Sequence, residues 1–394
     1  MAKETAALNA VLTALLPTAD ESLLLCASLG RGDTGRSAWT ACQERFGDLV
    51  RVFRGDSRGI KRWLPLLHEA LRYHELPAPP ALATVLRTAA FQEELRSKAY
   101  QEIVGETLTQ LQAAGVPILI LKGPALERCY PRPGLRHSHD LELLIRERAD
   151  LERAATVLCR AGARAAPGSG EVPAETVVLE QASGLPIRLS IRLFRTPHYH
   201  IPTETLWTRR TTVPISGVPA DVLAADDTLL HILGHAAGSP SRSSLQWVAD
   251  AWFLLQRHQN LDWRRLLRTA CDAQLRLVLA AMLPYLARQL GAAIPSEVLA
   301  SVTHSAAAAP RSERDALLAA VRASGDRGLR RVLATLSSPR ERLRLLLWLL
   351  GPSRTYLRRV HGPQATALLP LLYVYRPLAY AARVLPGRLR ASAQ

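Results

Sequence analysis

Lysine is almost missing from this chain. Of 50 basic residues only four are lysines, Lys3, Lys61, Lys98 and Lys122, so the formal charge of +16 is carried by arginine. Such a charge suits an anionic partner, whether nucleotide, nucleic acid or acidic membrane surface. A plain compositional bias toward arginine accounts for it equally well. Cysteine is scarce too: five residues, odd in number and without C-x-x-C spacing. That pattern argues against a disulfide framework or a zinc site and for a reducing compartment. Aromatic residues make up only 5%. No uncharged apolar run reaches the roughly 18 residues that a membrane span needs. The N-terminus, "MAKETAALNAVLTALLPTADE", carries acids early and does not read as a signal peptide. The expected location is the cytoplasm.

What is abundant is alanine, leucine and arginine, a mixture that favours helices. At 394 residues and 48% hydrophobic content, the chain can bury more than one core. The spacing predicts helices in "ETAALNAVLTALL", "RGIKRWLPLLHEALRYHEL" and the long "ALATVLRTAAFQEELRSKAYQEIVGETLTQLQAAG". Then the period changes. "VPILILK" (116–122) reads as a buried strand, "PALERCY" as a short helix and "HDLELLI" (139–145) as a second strand. "ADLERAATVLCRAGA" is a helix, while 175–181 and 186–194 form a hairpin across "ASGL"; from Asp226 onward the chain is helical again. The expected domains are 1–84 (helical), 85–215 (an α+β core), 216–339 (helical) and 340–394 (basic and apolar). The last carries ten arginines and one acid. It reads as an amphipathic packing element or as an arm for nucleic acid or an anionic membrane surface.

Asp140 and Glu142 stand two residues apart on a strand, so they share a face, with α-carbons about 7 Å apart. Two such carboxylates can lean together around Mg²⁺, which prefers carboxylates, phosphate oxygens and water. Phosphoryl transfer is mostly positioning and charge neutralisation, so this pair begins a site. An exposed D-x-E strand face is common, however, and the context matters more. Gly123 permits close backbone approach to a phosphate, and the helix start at 124–127 offers unpaired N–H groups. Lys122 adds a point charge for a triphosphate; Arg136 and Ser138, just ahead of the acidic strand, are further nucleotide-contact candidates. His231 and His235 lie one helical turn apart. They read as a packed helix face, or, with Asp250, as a lining of the nucleotide cleft. His137 and His139 read as loop residues, and Trp247, Trp252 and Trp263 as core.

The stretch "ILKGPALERCYPRPGLRHSHDLELLI" resembles an uncharacterised nucleotidyltransferase family, a branch of the polymerase-beta-like nucleotidyltransferases. Lys122, Gly123, Leu126, Tyr130, Pro131, Gly134, Arg136 and Asp140 occupy its motif positions, and the likeness continues through 226–256 and "LDWRRLL". In all it covers roughly residues 85 to 300. The resemblance implies a small mixed-sheet α+β core embedded in a mostly helical chain. It also implies Mg²⁺, an NTP such as ATP as donor, and pyrophosphate release. It does not fix the acceptor, which is expected to be a hydroxyl of RNA, of protein or peptide, or of a small molecule.

One position departs from that pattern. The wider superfamily carries a third carboxylate on a neighbouring strand. Here that strand reads "IRLSIRLF", with Arg188, Ser190 and Arg192 on one face by the period-two rule. A guanidinium is neither base nor metal ligand. Three readings follow: Glu180 supplies the acid from the preceding strand; Asp140 and Glu142 suffice; or catalysis is lost and nucleotide or RNA binding is kept.

Overall fold

The computed structural model describes residues 2–55, 60–165, 175–196, 198–238, 245–323 and 339–340. The basic segment 341–394 lies outside them, as does the part it was expected to play. The chain begins with helices α1 (Ala2–Leu15), α2 (Ala19–Leu29), α3 (Asp33–Phe46), α4 (Leu49–Gly55), α5 (Leu64–Tyr73) and α6 (Pro80–Ala113). The mixed α/β portion follows: β1 (Ile118–Leu121), α7 (Gly123–Glu127), β2 (Leu141–Ile145), α8 (Arg148–Arg160), β3 (Arg164–Ala165), β4 (Thr176–Glu180), β5 (Pro186–Ser190), α9 (Thr203–Arg209), β6 (Thr211–Ile215) and β7 (Val218–Val222). Helices α10 (Ala225–Gly238), α11 (Gln246–Arg257), α12 (Trp263–Asp272), α13 (Arg276–Leu290), α14 (Ser296–Ala307) and α15 (Arg311–Ala323) complete it.

Two units emerge from the contacts. One holds the described residues of Met1–Leu16, Ala237–Arg242 and Ala309–Gln394; within it α1 packs on α15. The other, Pro17–Ala236 with Ser243–Ala308, holds the sheet and the remaining helices. Residues Leu8–Leu29 are long and apolar enough to cross a membrane by composition. In the structure this stretch is two helices. Pro17 lacks a backbone N–H, and Thr18 and Glu21 then form a reciprocal capping box that starts α2 afresh.

The seven strands follow the order β3-β4-β5-β2-β1-β7-β6. The central β2 runs antiparallel to β1 and parallel to β5. Leu141, Leu143 and Ile145 point to one face, where they meet Tyr100, Val104, Leu108 and Leu111 of α6 and Leu151 and Leu158 of α8. The i, i+4 spacing of those α6 residues makes one apolar stripe. The same helix extends the stripe N-terminally through Leu86 and Leu82 into a second core with Leu67, Phe53 and Trp39. Alternation does not leave the other face of β2 wet: Glu142 and Leu144 are buried as well.

Three strands had not been expected: the two-residue β3, and β6 with β7. β6 and β7 form a hairpin whose turn residues, Ser216 and Gly217, both have positive φ (49° and 79°). That is the mirror-image turn suited to the strand twist, and the Ser-Gly pair was its signal. The sheet thus runs to Val222, past residue 215. On β5 the strand stops at Ser190, so Arg192 does not continue its face, contrary to the period-two expectation. The Ser190 hydroxyl caps the end: it accepts the Arg192 N–H at 3.2 Å and donates to the Arg192 carbonyl at 2.9 Å. Arg192 turns instead to Glu175, 3.0 Å away.

Candidate functional site

Glu142 projects from the middle of the sheet, 6% exposed. Just after β1, Lys122 takes φ 47° and ψ −140°, a conformation rare for a side chain with a Cβ. Its ammonium reaches Glu142 Oε2 at 2.7 Å. On the other side, Arg188 is the register partner of Glu142 on β5, and its Nε lies 3.5 Å from Glu142 Oε1. Arg195, beyond the end of β5, brings a third cation to 3.8 Å. Burial by itself would push the Glu142 carboxyl up; the Lys122 ammonium overrides it and holds the group well below the ordinary carboxylate range.

Helix α10 supplies the rest. Its first turn is clamped by two forked pairs: Arg209 to Asp227 (2.9 and 2.6 Å) and Arg265 to Asp226 (2.6 and 2.8 Å). Acids at a helix N-terminus also suit the helix dipole. Further along, Gly234 lets α10 sit against Phe194, since a Cβ there would come within 2.6 Å of the ring. So anchored, α10 turns His231 and His235 toward Glu142. His235 Nε2 lies 3.0 Å from Lys122 Nζ. Burial, then Lys122, pushes His231 down to about 3 and His235 well below its usual range. Both rings are therefore neutral near pH 7.

The other expected residues form a second network. Arg136 grips Asp250 with two prongs, 2.8 and 2.9 Å, and donates to Ser138 Oγ at 2.8 Å. Tyr130 and Gln246 also donate to Asp250. Arg136, Ser138 and Asp250 are each 5% exposed or less. The structure thus brings these three nucleotide-contact candidates together, bonded to one another rather than open to a ligand. Gly123 has φ 36°, and an added Cβ would meet the Tyr100 hydroxyl at 2.7 Å. That hydroxyl donates to the Asp140 carbonyl at 3.0 Å, which fixes the entry to β2. The atom that approaches Gly123 is therefore the protein's own.

Asp140 is half-buried just ahead of β2. Among the described residues its carboxylate has no hydrogen-bond or ion-pair partner. Glu180 is exposed at the end of β4, opposite Pro186. It is two strands from β2, about 10 Å at ordinary strand spacing, and stands outside the Glu142 cluster. Arg195 was missed by sequence reasoning, because it follows the strand end, where periodicity carries no signal. Trp247 and Trp252 are buried, as expected, while Trp263 is half-buried. His137 lies 3.0 Å from Glu93 and faces a cavity of about 620 Å³ lined also by Phe53, Arg62, Gln92 and Arg96. None of the cavity residues belongs to the Glu142 cluster.

A buried strand ending in Lys-Gly, a short helix and an acidic strand beside it, on a mixed sheet followed by helices, define the class: a nucleotidyltransferase-like α+β domain. Residues 61–291 match the family model described as "Uncharacterised nucleotidyltransferase", more than half of the chain, and the chain belongs to that family. No curated protein and no solved structure matches it. The family's general activity is nucleotidyl transfer, which draws on an NTP and a divalent metal. The residues around Glu142 do not fit a two-magnesium centre. Magnesium needs several oxygen ligands, and here the one buried carboxylate is held by Lys122 with two guanidiniums beside it.

Proposed function

We propose that this member of the family binds the phosphate chain of a nucleoside triphosphate on Lys122, Arg188 and Arg195, and does so without two-metal transfer. The observation that carries the reading is Arg188. It occupies the register position beside Glu142 where a third carboxylate was expected, and its Nε is buried with no hydrogen-bond acceptor among the described residues. A buried guanidinium nitrogen without an acceptor is costly, and a phosphate oxygen would supply one. Three cations against one carboxylate leave a net positive site that suits a polyphosphate. Lys122 can follow the phosphates because its four-carbon stem is flexible.

The test is nucleotide titration of the full chain in chelator. Binding is expected without Mg²⁺ and to weaken with salt, as screening requires. Arg188→Ala should weaken it by ~10-fold or more, the worth of one charge-assisted hydrogen bond. Binding that appears only with Mg²⁺, or is indifferent to Arg188, would refute this reading.

A second reading is Mg²⁺-dependent transfer of a nucleoside monophosphate to a hydroxyl acceptor with pyrophosphate release. Its support is family membership and the unpartnered carboxylate of Asp140. Labelled NTPs with Mg²⁺ and candidate acceptors test it: transfer by the wild type that disappears in Asp140→Ala would establish it over the binding-only reading.

A further inference from the structure

One carboxylate oxygen of Glu142 and one ring nitrogen each of His231 and His235 lie within 4.8 Å of one another. His231 is 1% exposed, and neither of its ring nitrogens has a hydrogen-bond partner among the described residues. Buried polar atoms are rarely left so, and the phosphate reading gives this ring nothing to bind. A metal ion would take the lone pair of one of these nitrogens, since a neutral imidazole is a metal ligand through one nitrogen and keeps its proton on the other. The contacts of Lys122 point the same way. Its single ammonium meets both Glu142 Oε2, at 2.7 Å, and His235 Nε2, at 3.0 Å. One positive atom thus bridges two of the three side chains, as a bound cation would.

We propose that Glu142, His231 and His235 form a site for a borderline divalent transition metal such as Zn²⁺, and that the Lys122 ammonium holds the metal's place when no metal is bound. Two imidazoles and a carboxylate are a donor set that zinc accepts, with a fourth position open. Magnesium, which prefers oxygen ligands, does not suit it. Ligand atoms around a tetrahedral zinc are about 3.3 Å apart, from bond lengths near 2.0–2.1 Å. The three side chains therefore need to close by about 1.5 Å at most once the ammonium withdraws. The scattered cysteines, which argue against a thiolate zinc site, do not bear on this one. The inference goes beyond nucleotide binding, and it is tested with metal alone, so the two stand or fall separately.

The full chain, stripped with chelator, should be titrated with Co²⁺ followed by visible absorption, and with Zn²⁺ by competition. One equivalent should bind, with the intense bands of low-coordinate Co²⁺. Lys122→Met should tighten binding by about 10-fold or more, because the competing ammonium is gone. His231→Phe should weaken it by more than the ~10–100-fold typical of outer-sphere changes. Should His231→Phe not fold, Glu142→Gln, which keeps shape and volume, serves the same comparison. If the wild type and Lys122→Met bind metal no more tightly than a folded ligand variant, the site does not exist. If Lys122→Met weakens binding, the place-holding role of the lysine is wrong.

Discussion

Asp250 and Glu142 are both buried carboxylates, and both face basic side chains, but their surroundings differ in completeness. Around Asp250 the accounting closes. Arg136 meets it with two parallel bonds, Ser138 takes another guanidinium hydrogen, and Tyr130 and Gln246 fill remaining acceptor positions. Around Glu142, among the described residues, there are more cations than carboxylates, no forked pair, an Arg188 nitrogen without a hydrogen-bond acceptor and an imidazole whose nitrogens make no hydrogen bond. A satisfied buried network holds the fold in one arrangement. An unsatisfied one, kept in place by its neighbours, is where a ligand has something to gain. The contrast separates the residues that shape the loop ahead of β2 from those open to chemistry.

The sharpest way to break the comparison is to remove the cation from the closed network. Arg136→Met leaves Asp250 buried without its counter-charge and should cost ~3–5 kcal/mol, read as a shift in the urea unfolding midpoint. A cost near zero would mean that this network is not what holds the loop. Next in size is Gly123→Ala. The positive φ and the 2.7 Å approach to the Tyr100 hydroxyl make it cost about 1–3 kcal/mol. Because the clash is with that hydroxyl, the cost should shrink in a Tyr100→Phe background. A strictly additive double mutant would show that the clash is not the cause.

Protonation probes the open cluster directly. His231 is pushed down to about 3, against an ordinary 6.5, by burial first and Lys122 second. Between those values the unfolded chain binds a proton that the folded chain does not. Stability is therefore lost as pH falls from 6.5 toward 3, by at most ~1.4 kcal/mol per pH unit for this ring. His231→Phe should flatten the stability profile between pH 7 and 5 by up to that slope. An unchanged profile would mean that the ring is not held neutral in the fold. The smallest effect is expected from Arg188→Met. Removing a buried guanidinium with incomplete bonding should change stability by less than ~1 kcal/mol while nucleotide binding falls. If it destabilises as much as Arg136→Met, the distinction between the two networks fails.

Much of this was readable in advance where the signal is local. The apolar run before Gly123, the i, i+4 stripe of α6 and the alternation of 139–145 each follow from one element's own geometry. The family likeness rested on the same stretch and holds over 61–291. Reading failed where an element ended or where two elements met. The early stop of β5 sent Arg192 to Glu175, and the Ser-Gly turn before β7 went unread although its dipeptide was visible.

Residue order alone dictated which side chains share a strand face or a helix stripe, because backbone periods of two and 3.6 apply within any single element. It placed Asp140 and Glu142 two apart, and His231 one turn from His235. It had no means of stating that β5 would lie parallel beside β2 with Arg188 level with Glu142, or that Lys122 would turn through a positive φ toward the same carboxylate. Nor did it show that Arg136 and Asp250, 114 residues apart, would neutralise each other. Those outcomes depend on strand order and helix docking, which are set by burying apolar surface across the whole molecule, and no local pattern encodes them.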